Sequence, residues 1–464
     1  ASVLRIGRDD ASASGAILIS MPVAIVSPPA AATLHLVTGS TVMQNSAFSA
    51  MTLGISAGGA VTLDAMTNDV DVVAIRTTSG NVMFEDGDGF SVGSVTSCDP
   101  SGGTDTTNGV GTAAGSVSLA AGSGNVTVTN TAAANDVEAT GTITVTLMGD
   151  DALLTINAGA DSESIGGTHK YTADKMDLAG TITATGQIVV LAPNESGEAV
   201  DLGSTTNAAA DTLELSSAEL AGVSASILRV GSATTGAITV SANVTTGAAT
   251  LSLINNAGIS GAGGITGTNL AIQSPGVVNL SAGTHNVGTL AASITGANNA
   301  FSFNENDTLT IGTADGITGL TTNNGTATIV AGGLLTIDDD VNVGTGNFVI
   351  DTAGAGQNAG DTITAAGFSM MGTGTFTLGE GNDVDTIAAS VTGSITFNDV
   401  DTLTVGTVGT KVGITTDGNS LALTTAQQLT IGSGVGQDIN VGAANVALTA
   451  TSGGVTENAG SIIT

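Results

Sequence analysis

The sequence predicts an all-β protein built as a parallel β-solenoid. Short segments alternate apolar and polar residues, clusters of turn-forming residues separate them, and related motifs recur at two fixed spacings. No stretch shows a helical period over three turns. At roughly 22–26 residues per coil, the 464 residues form roughly 18–20 coils.

The predicted strands are short segments in which every second residue is apolar. Residues 143–147 (ITVTL) and 376–378 (FTL) are examples. Successive side chains of a strand point to opposite faces, so we expect the apolar residues to fill the interior and Thr to face solvent. Segments such as 323–325 (NNG) separate the strands, because Asn and Gly accept the left-handed backbone conformations of sharp corners.

A longer motif occurs three times. It reads FEDGDGFSVG at residues 84–93, FNENDTLTIG at 303–312 and FNDVDTLTVG at 397–406. Each copy has a Phe, a polar run containing Asp, and then an apolar-Ser/Thr-apolar-Gly sequence. The leading residues are candidates for stacking inside the solenoid: Phe84, Phe303 and Phe397.

The spacing of these motifs predicts the length of a coil. The second and third copies are 94 residues apart, and a Leu-Thr-Ile triplet lies 26 residues after the apolar triplet of each copy, at 335–337 and 429–431. The longer spacing predicts a repeat of about four coils, and the shorter one predicts a single coil. An array of antiparallel sandwiches is the main alternative for the longer spacing, but the shorter spacing favours coils.

Charge and composition exclude several classes of protein. Seven Lys and Arg against 40 Asp and Glu give a net charge of −33, so no basic stripe is available to bind nucleic acid. The same charge opposes binding to an anionic membrane. Hydrophobic residues make up 41% of the chain, which argues against disorder, and a single Cys excludes a disulfide scaffold.

The N-terminal region carries the only long apolar stretch, residues 15–37. Its three prolines break any helix of membrane-spanning length, so we expect no membrane insertion and a chain whose export signal has been removed. We interpret residues 1–40 as a cap or an inter-subunit docking segment, followed by a continuous solenoid over residues 41–464. The candidate docking residues are Ile17, Leu18, Ile19, Met21, Val23, Ile25, Val26, Leu34, Leu36 and Val37.

Acidic runs are the candidate metal-binding sites. Their carboxylates recur at alternate positions, and hard oxygen ligands at such spacing suit Ca²⁺. The competing interpretation is a solvated acidic turn that keeps the protein soluble and protects strand edges. No other cofactor is expected. The candidate calcium ligands are Glu85, Asp86, Asp88, Asp338, Asp339, Asp340, Asp383, Asp385, Asp399 and Asp401.

Catalytic chemistry finds little support, and we predict that the protein is not an enzyme. Sites that cleave acidic sugars need paired carboxylates beside basic groups, and the few Lys and Arg are scattered along the chain. His35, His169 and His285 are too far apart in sequence to show the ligand spacing of a zinc site. Cys98 has no nearby partner and is expected to be buried or incidental.

Several segments in a fixed order resemble the repeat region of large bacterial exoproteins of the filamentous haemagglutinin-like family. They include residues 171–180 (YTADKMDLAG), 188–193 (IVVLAP), 213–220 (LELSSAEL) and 303–312. The resemblance covers roughly residues 55–464. It implies a secreted right-handed β-helix used in adhesion or surface assembly.

Two functions fit these observations. The first is an extracellular structural protein, a solenoid protomer that self-assembles head to tail into a filament or surface layer, with itself as partner. The alternative is the rigid stalk of a cell-surface adhesin that binds a host, a cell or a glycan. Both place the protein outside the cell or on a bacterial surface.

Overall fold

The predicted fold class is confirmed. The structure, a computed structural model, describes residues 2–8, 15–25, 32–98, 103–432, 434–458 and 462–463. It is 59% strand and 1% helix, with parallel stacked coils that form a β-solenoid of about 19 turns. The chain consists of an N-terminal unit, residues 1–236 and 245–249, and a C-terminal unit, residues 237–244 and 250–464.

The described residues between 1 and 236 form 25 strands and one short helix. Their bounds are β1 Ser2–Gly7, β2 Ile17–Ile19, β3 Val23–Ile25, β4 Ala32–Thr38, β5 Val42–Gln44, β6 Phe48–Ala57, β7 Val61–Leu63, β8 Asp69–Thr77, β9 Val82–Asp86, β10 Phe90–Val92, β11 Ser94–Cys98, β12 Thr104–Asn108, β13 Val110–Thr112, β14 Val117–Ala121, β15 Val126–Val128, β16 Val137–Ala139, β17 Ile143–Leu147, β18 Leu153–Ile156, β19 Asp161–Ser164, β20 His169–Thr172, β21 Lys175–Leu178, β22 Thr181–Ala192, β23 Ala199–Leu202, β24 Thr212–Leu215, α1 Ser217–Ala221 and β25 Val223–Gly231.

Residues 237–464 contain strands alone among those described. Their bounds are β26 Ile238–Val240, β27 Val244–Thr245, β28 Thr250–Ile254, β29 Ile259–Gly261, β30 Ile265–Ser274, β31 Val278–Ala297, β32 Phe301–Glu305, β33 Leu309–Ile311, β34 Thr313–Ala314, β35 Ile317–Thr318, β36 Leu320–Asn323, β37 Ala327–Ala331, β38 Leu335–Ile337, β39 Val341–Asn342, β40 Asn347–Thr352, β41 Ala355–Gln357, β42 Ile363–Gly372, β43 Phe376–Val391, β44 Ile395–Asp399, β45 Leu403–Val405, β46 Thr407–Val408, β47 Lys411–Val412, β48 Ile414–Thr415, β49 Leu421–Thr425, β50 Leu429–Ile431, β51 Ile439–Asn440, β52 Val446–Ala450, β53 Val455–Glu457 and β54 Ile462–Ile463.

The 26-residue spacing is one coil. Strand β33 pairs in parallel and in register with β38, so that Leu309 lies beside Leu335. Strand β45 pairs with β50 in the same way, which places Leu403 beside Leu429. Identical side chains in adjacent coils therefore stack in the interior, as the alternation predicts.

The 94-residue repeat spans four coils and one further strand position. The ladder that starts at β33 continues through β38, β41 and β43 to β44. Strand β44 opens the third motif copy, whereas β33 is the second strand of the previous copy. Each repeat therefore begins one strand position further around the coil than the repeat before it.

Aromatic side chains lie in the interior at the predicted positions. Phe84, Phe303 and Phe397 are all buried, and Phe303 stacks on His285 and Phe301. In the C-terminal unit Phe368 stacks on Phe348, with ring centroids 5.5 Å apart, and contacts Phe397 in a tilted arrangement at 5.8 Å. Because aromatic rings bury a large area, these stacks are major contributors to the core.

Each motif copy ends at the base of an antiparallel hairpin, which the sequence analysis did not predict. The hairpins are β11–β12, β34–β35 and β46–β47. A glycine after each hairpin donates its backbone N–H to the carbonyl of the last motif residue, at distances of 2.8 to 3.0 Å. These glycines have φ between 65° and 69°, a conformation that L side chains rarely adopt: Gly109, Gly319 and Gly413.

The hairpins cover small outward-facing residues of earlier coils. Val95 packs over Gly54, where an added Cβ would lie 2.9 Å from Val95 Cγ1. Ala314 packs on buried Ala271 and Ala291. Thr faces solvent in most strands, but a small side chain at these positions makes room for the hairpin.

Two local features depart from the sequence analysis. Helix α1 is five residues long and is held by a capping box, in which Ser216 and Glu219 accept each other's backbone N–H. Glu219 Oε1 also accepts the N–H of Leu178, 3.0 Å away, which fixes the helix to strand β21. Cys98 is exposed rather than buried and ends β11 in the first hairpin.

Candidate functional site

The acidic motifs place one carboxyl group inside a corner of the coil. Asp86, Glu305 and Asp399 each lie two residues after the motif Phe and are buried. The alternation of a strand explains this position, because residues two apart point to the same face. We call these three side chains the corner carboxyls.

The corner carboxyls accept hydrogen bonds from backbone N–H groups of the preceding coil. The N–H groups of Val70, Val287 and Val384 donate to them over 2.9 to 3.0 Å. Each carboxyl also accepts an N–H from its own turn, such as that of Asp401 at 3.0 Å from Asp399. The corner carboxyls therefore accept hydrogen bonds from backbone N–H groups that have no carbonyl acceptor in the strand ladder at a corner.

Other polar side chains occupy the same kind of corner. Asn382 accepts the N–H of Ile363 at 2.9 Å. His285 accepts the N–H of Ile265 through Nδ1 at 3.0 Å, and its Nε2 lies 2.9 Å from the carbonyl oxygen of Leu280. An acidic group is thus one of several side chains that close a corner.

Burial shifts the acid–base equilibria of the corner carboxyls. Desolvation and the neighbouring Asp88 side chain, opposed by backbone N–H groups, together raise the pKa of Asp86 to about 7. Desolvation also raises the pKa of Asp399 and of Glu305. The side-chain hydrogen bond with Asp86 lowers the pKa of Asp88.

These shifts predict a pH-dependent contribution to stability. In the unfolded chain Asp titrates near pH ~3.9, well below the raised pKa of Asp86 in the folded protein. The folded state therefore binds more protons, and this contribution is complete below about pH 4 and lost as the pH rises through about 7. We expect Asp86→Asn to destabilise the protein more at pH 5 than at pH 8, measured by denaturant unfolding at both values.

The matched control is Asp383→Asn, which changes an exposed aspartate. Its effect on the free energy of unfolding is expected to be the same at both pH values. A cost of Asp86→Asn that does not vary with pH would contradict the assignment. Variants must be compared because the stability of the parent also depends on the titration of His169. Burial lowers the pKa of His169 to about 4, so its contribution to folding stability increases with pH, opposite to that of Asp86.

The remaining acidic candidates are exposed or half-buried, the half-buried ones being Glu85, Asp339 and Asp401. Thr362 donates its N–H and hydroxyl to Asp340, at 2.7 and 2.9 Å, and the Thr313 hydroxyl donates to Asp339 at 2.7 Å. Asp338 accepts a hydrogen bond from the amide of Asn358. Asp383 and Asp385 are exposed on β43. The run at 338–340 thus links neighbouring coils by hydrogen bonds.

The structure brings some surface carboxylates together. Burial raises the pKa of Asp361, and the charges of Asp339, Asp340 and Asp338, in that order, raise it further. Even so, the described part of the chain holds no group of three or more His, Cys, Asp or Glu side chains placed to bind a metal ion. Calcium binding by the acidic turns stays a prediction.

The candidate docking residues fall into two sets. Leu18, Met21 and Val23 are exposed on the first described coil, which also contains half-buried Ile17 and buried Ile19. The second set is buried within the next coil, because strand β1 pairs with β4 and covers it: Leu34, Leu36 and Val37. Only the backbone of Ile25, at the end of β3, is described, and Val26 lies outside the described residues.

The interior apolar column is open at the first described coil. Leu4 pairs with Leu34, and Leu34 pairs with Leu53. The exposed fraction of these side chains rises from 0% at Leu53 and 3% at Leu34 to 45% at Leu4. Ile6 is likewise 43% exposed. Inward positions that are buried elsewhere are therefore accessible on this coil.

The last described coil shows the same exposure. Val455 pairs with Leu429, and Ile462 pairs with Ile439. Leu429 and Ile439 are fully buried, whereas Val455 is 46% and Ile462 is 41% exposed. This coil also presents apolar inward positions that nothing in the described residues covers.

The histidines are buried in separate places. His35 lies under the first hairpin, where its Nδ1 is 2.5 Å from Ser97 Oγ and its Nε2 is 3.2 Å from Thr107 Oγ1. His169 Nδ1 is 3.3 Å from the Tyr171 hydroxyl, which donates to Ser162. These contacts hold side chains in the fold.

A cleft of about 450 Å³ interrupts the coil surface of the N-terminal unit. Asp177, Thr206, Asn207 and Ser216 are among the residues that line it, and helix α1 forms one wall. The lining contains acidic, amide and hydroxyl groups but no Lys or Arg. It is therefore suited to a hydroxyl-bearing ligand rather than an anion.

Comparison of the chain with family models, curated proteins and solved structures finds no match. The resemblance to haemagglutinin-like repeats therefore remains an expectation from the sequence. Within the described residues, no helix has the length and hydropathy needed to cross a membrane.

Proposed function

We propose that the chain is a secreted structural protein whose copies join coil to coil in a filament or surface layer. The observation that carries the proposal is the exposed apolar column at the first and last described coils. There, side chains that every inner coil buries are 41–46% exposed.

Joining two copies would bury these side chains and extend the strand ladders. Strands β1, β2 and β3 each pair with one neighbouring strand, in β4, β5 and β6. No strand within the described residues pairs with their other edge, which the last coil of a second copy would occupy. Such a contact joins different surfaces of the two copies and does not close on itself, so it generates a fibre.

Charge opposes this assembly. Each copy carries a net charge of −33, and repulsion between copies weakens as salt screens it. We therefore expect longer assemblies at 0.5 M than at 0.05 M NaCl, because the Debye length falls from roughly 14 Å at the lower concentration to roughly 4 Å at the higher one.

The test is a double substitution in the first coil, Leu4→Asp with Ile6→Asp. Both side chains are partly exposed, so the charges should leave the coil folded but oppose its burial against a second copy. We expect the parent to form large assemblies in sedimentation velocity and the variant to stay monomeric. Val412→Asp, at a similarly exposed site on the third hairpin, is the control and should assemble like the parent.

Two outcomes would overturn the proposal. One is a parent that stays monomeric at all salt concentrations. The other is a double variant that assembles as well as the parent, since the first coil would then lie outside the contact.

The cleft favours a second candidate function, the stalk of a glycan-binding adhesin. Its acceptor-rich lining suits the hydroxyl groups of a neutral sugar, although aromatic side chains are absent from the residues that line it. Glycan binding by the parent that is lost in Asn207→Leu would favour this function, and binding that persists would place the glycan elsewhere.

A further inference from the structure

Two acidic side chains of the N-terminal unit are buried against each other. Asp174, between β20 and β21, is 0% exposed, and Glu198, just before β23, is 5% exposed. The Asp174 side chain lies close to the carboxyl group of Glu198, and the two groups interact through their charges. Neither residue is among the candidate metal ligands that the sequence predicts.

Most of the oxygen atoms of this pair lack a partner. Asp174 Oδ1 accepts the backbone N–H groups of Asn194 at 2.8 Å and Glu195 at 3.4 Å. Asp174 Oδ2 and both carboxylate oxygens of Glu198 are buried without a hydrogen-bond donor. The corner carboxyls differ, because backbone N–H groups engage them from two coils.

No basic side chain in the described residues compensates the pair. The basic residue nearest in sequence is Lys175, which lies beside Asp174 in the chain but pairs with Asp151 at 3.1 Å. The other ion pairs found join Arg5 to Asp105 and Arg76 to Glu138. Burying an uncompensated carboxylate is costly, and a buried charge is normally paired or bound to a metal ion.

We propose that Asp174 and Glu198 bind a divalent cation of the Ca²⁺ class. The unpartnered donor atoms are all oxygens, and two carboxylates balance the charge of a divalent ion. Ca²⁺ accepts irregular sets of carboxylate, carbonyl and water oxygens, whereas Mg²⁺ demands near-ideal octahedral geometry. Two side chains suffice if backbone carbonyls and water supply the remaining ligands.

A proton competes with a metal ion for the pair, because a carboxylate must lose its proton to bind the ion. We therefore expect Ca²⁺ to release protons when it binds, and more of them at low pH than at high pH.

The test compares thermal unfolding of the chelator-treated parent with and without Ca²⁺ at pH 7.5. An ion that binds only the folded state should raise the melting temperature by about 3–6 °C at 100-fold excess over its Kd. Glu198→Gln keeps the shape of the side chain but removes its charge, and should abolish this rise. Proton release is measured by calorimetry in two buffers of different ionisation enthalpy.

Two further variants make the result specific. Asp177→Asn changes an exposed aspartate of β21 and should keep the full response, which separates the site from weak binding at the acidic surface. Asp174→Asn keeps an oxygen for the N–H groups of Asn194 and Glu195, and serves if Glu198→Gln fails to fold.

Two results would overturn the proposal. One is a melting temperature that Ca²⁺ leaves unchanged or raises equally in the parent and in Glu198→Gln. The other is a rise in melting temperature that Asp177→Asn abolishes as fully as Glu198→Gln does, which would place the bound ion at the acidic surface rather than at the buried pair. Neither result depends on whether copies of the chain assemble.

Discussion

Replacing Phe368 by alanine is expected to lower the free energy of unfolding by about 3–5 kcal/mol. The ring is fully buried, stacks on Phe348 and contacts Phe397 in a tilted arrangement. Its loss leaves a cavity in an interior whose coils contact only their neighbours, so the surrounding chain has little scope to fill the space. Denaturant unfolding monitored by circular dichroism measures the change.

Phe368→Leu is the control for this prediction. It keeps most of the apolar volume, so we expect a cost below about 1.5 kcal/mol. If the alanine variant cost no more than the leucine variant, the stacking of these rings would not stabilise the core as described.

Replacing Asp399 by alanine is expected to cost about 2–4 kcal/mol of folding stability. The variant leaves the N–H groups of Val384 and Asp401 without their acceptor in a buried corner. Each buried donor left unpaired costs about 1–3 kcal/mol, which exceeds what the removal of a surface charge would change. The measurement is the unfolding free energy at pH 6.

Asp383→Ala is the matched substitution on an exposed strand position. We expect its effect to lie within about 0.5 kcal/mol of zero. Equal costs for the two variants would show that Asp399 acts as a general surface charge rather than as a corner acceptor.

The coil architecture could be predicted because its signals are local and periodic. The triplets at 309–311 and 335–337 are identical in sequence and pair in register, so their 26-residue spacing equals the length of one coil. Burial of Phe303 and Phe397 follows from the same alternation.

The hairpins could not be predicted because their signal lies in residues far apart in sequence. Ala271 and Ala291 interrupt the alternation of apolar and Thr residues, but their meaning emerges only when Ala314 packs on them. Val95 and Gly54 show the same relation in the N-terminal unit. A small residue flanked by two inward apolar residues is the signal that could have indicated a covered face.

The candidate sites were predictable in composition but not in orientation. The acidic motif stands out in the sequence, but its composition does not show which carboxylates face the interior. The alternation of β44 places Asp399 inside, two residues after Phe397, and the alternation of β43 leaves Asp383 outside. Leu18 and Leu34 belong to one apolar stretch of the sequence. In the structure, strand β1 covers and buries Leu34, whereas Leu18 is exposed. Asp174 and Glu198 are 24 residues apart, and no ligand pattern in the sequence joins them.

The most direct test of self-assembly is negative-stain electron microscopy of the purified chain at several salt concentrations. The open apolar columns predict long, uniform filaments or sheets that lengthen with salt and are lost in the Leu4→Asp, Ile6→Asp variant. Dispersed single particles at every salt concentration would contradict the proposed structural role and favour the stalk of an adhesin.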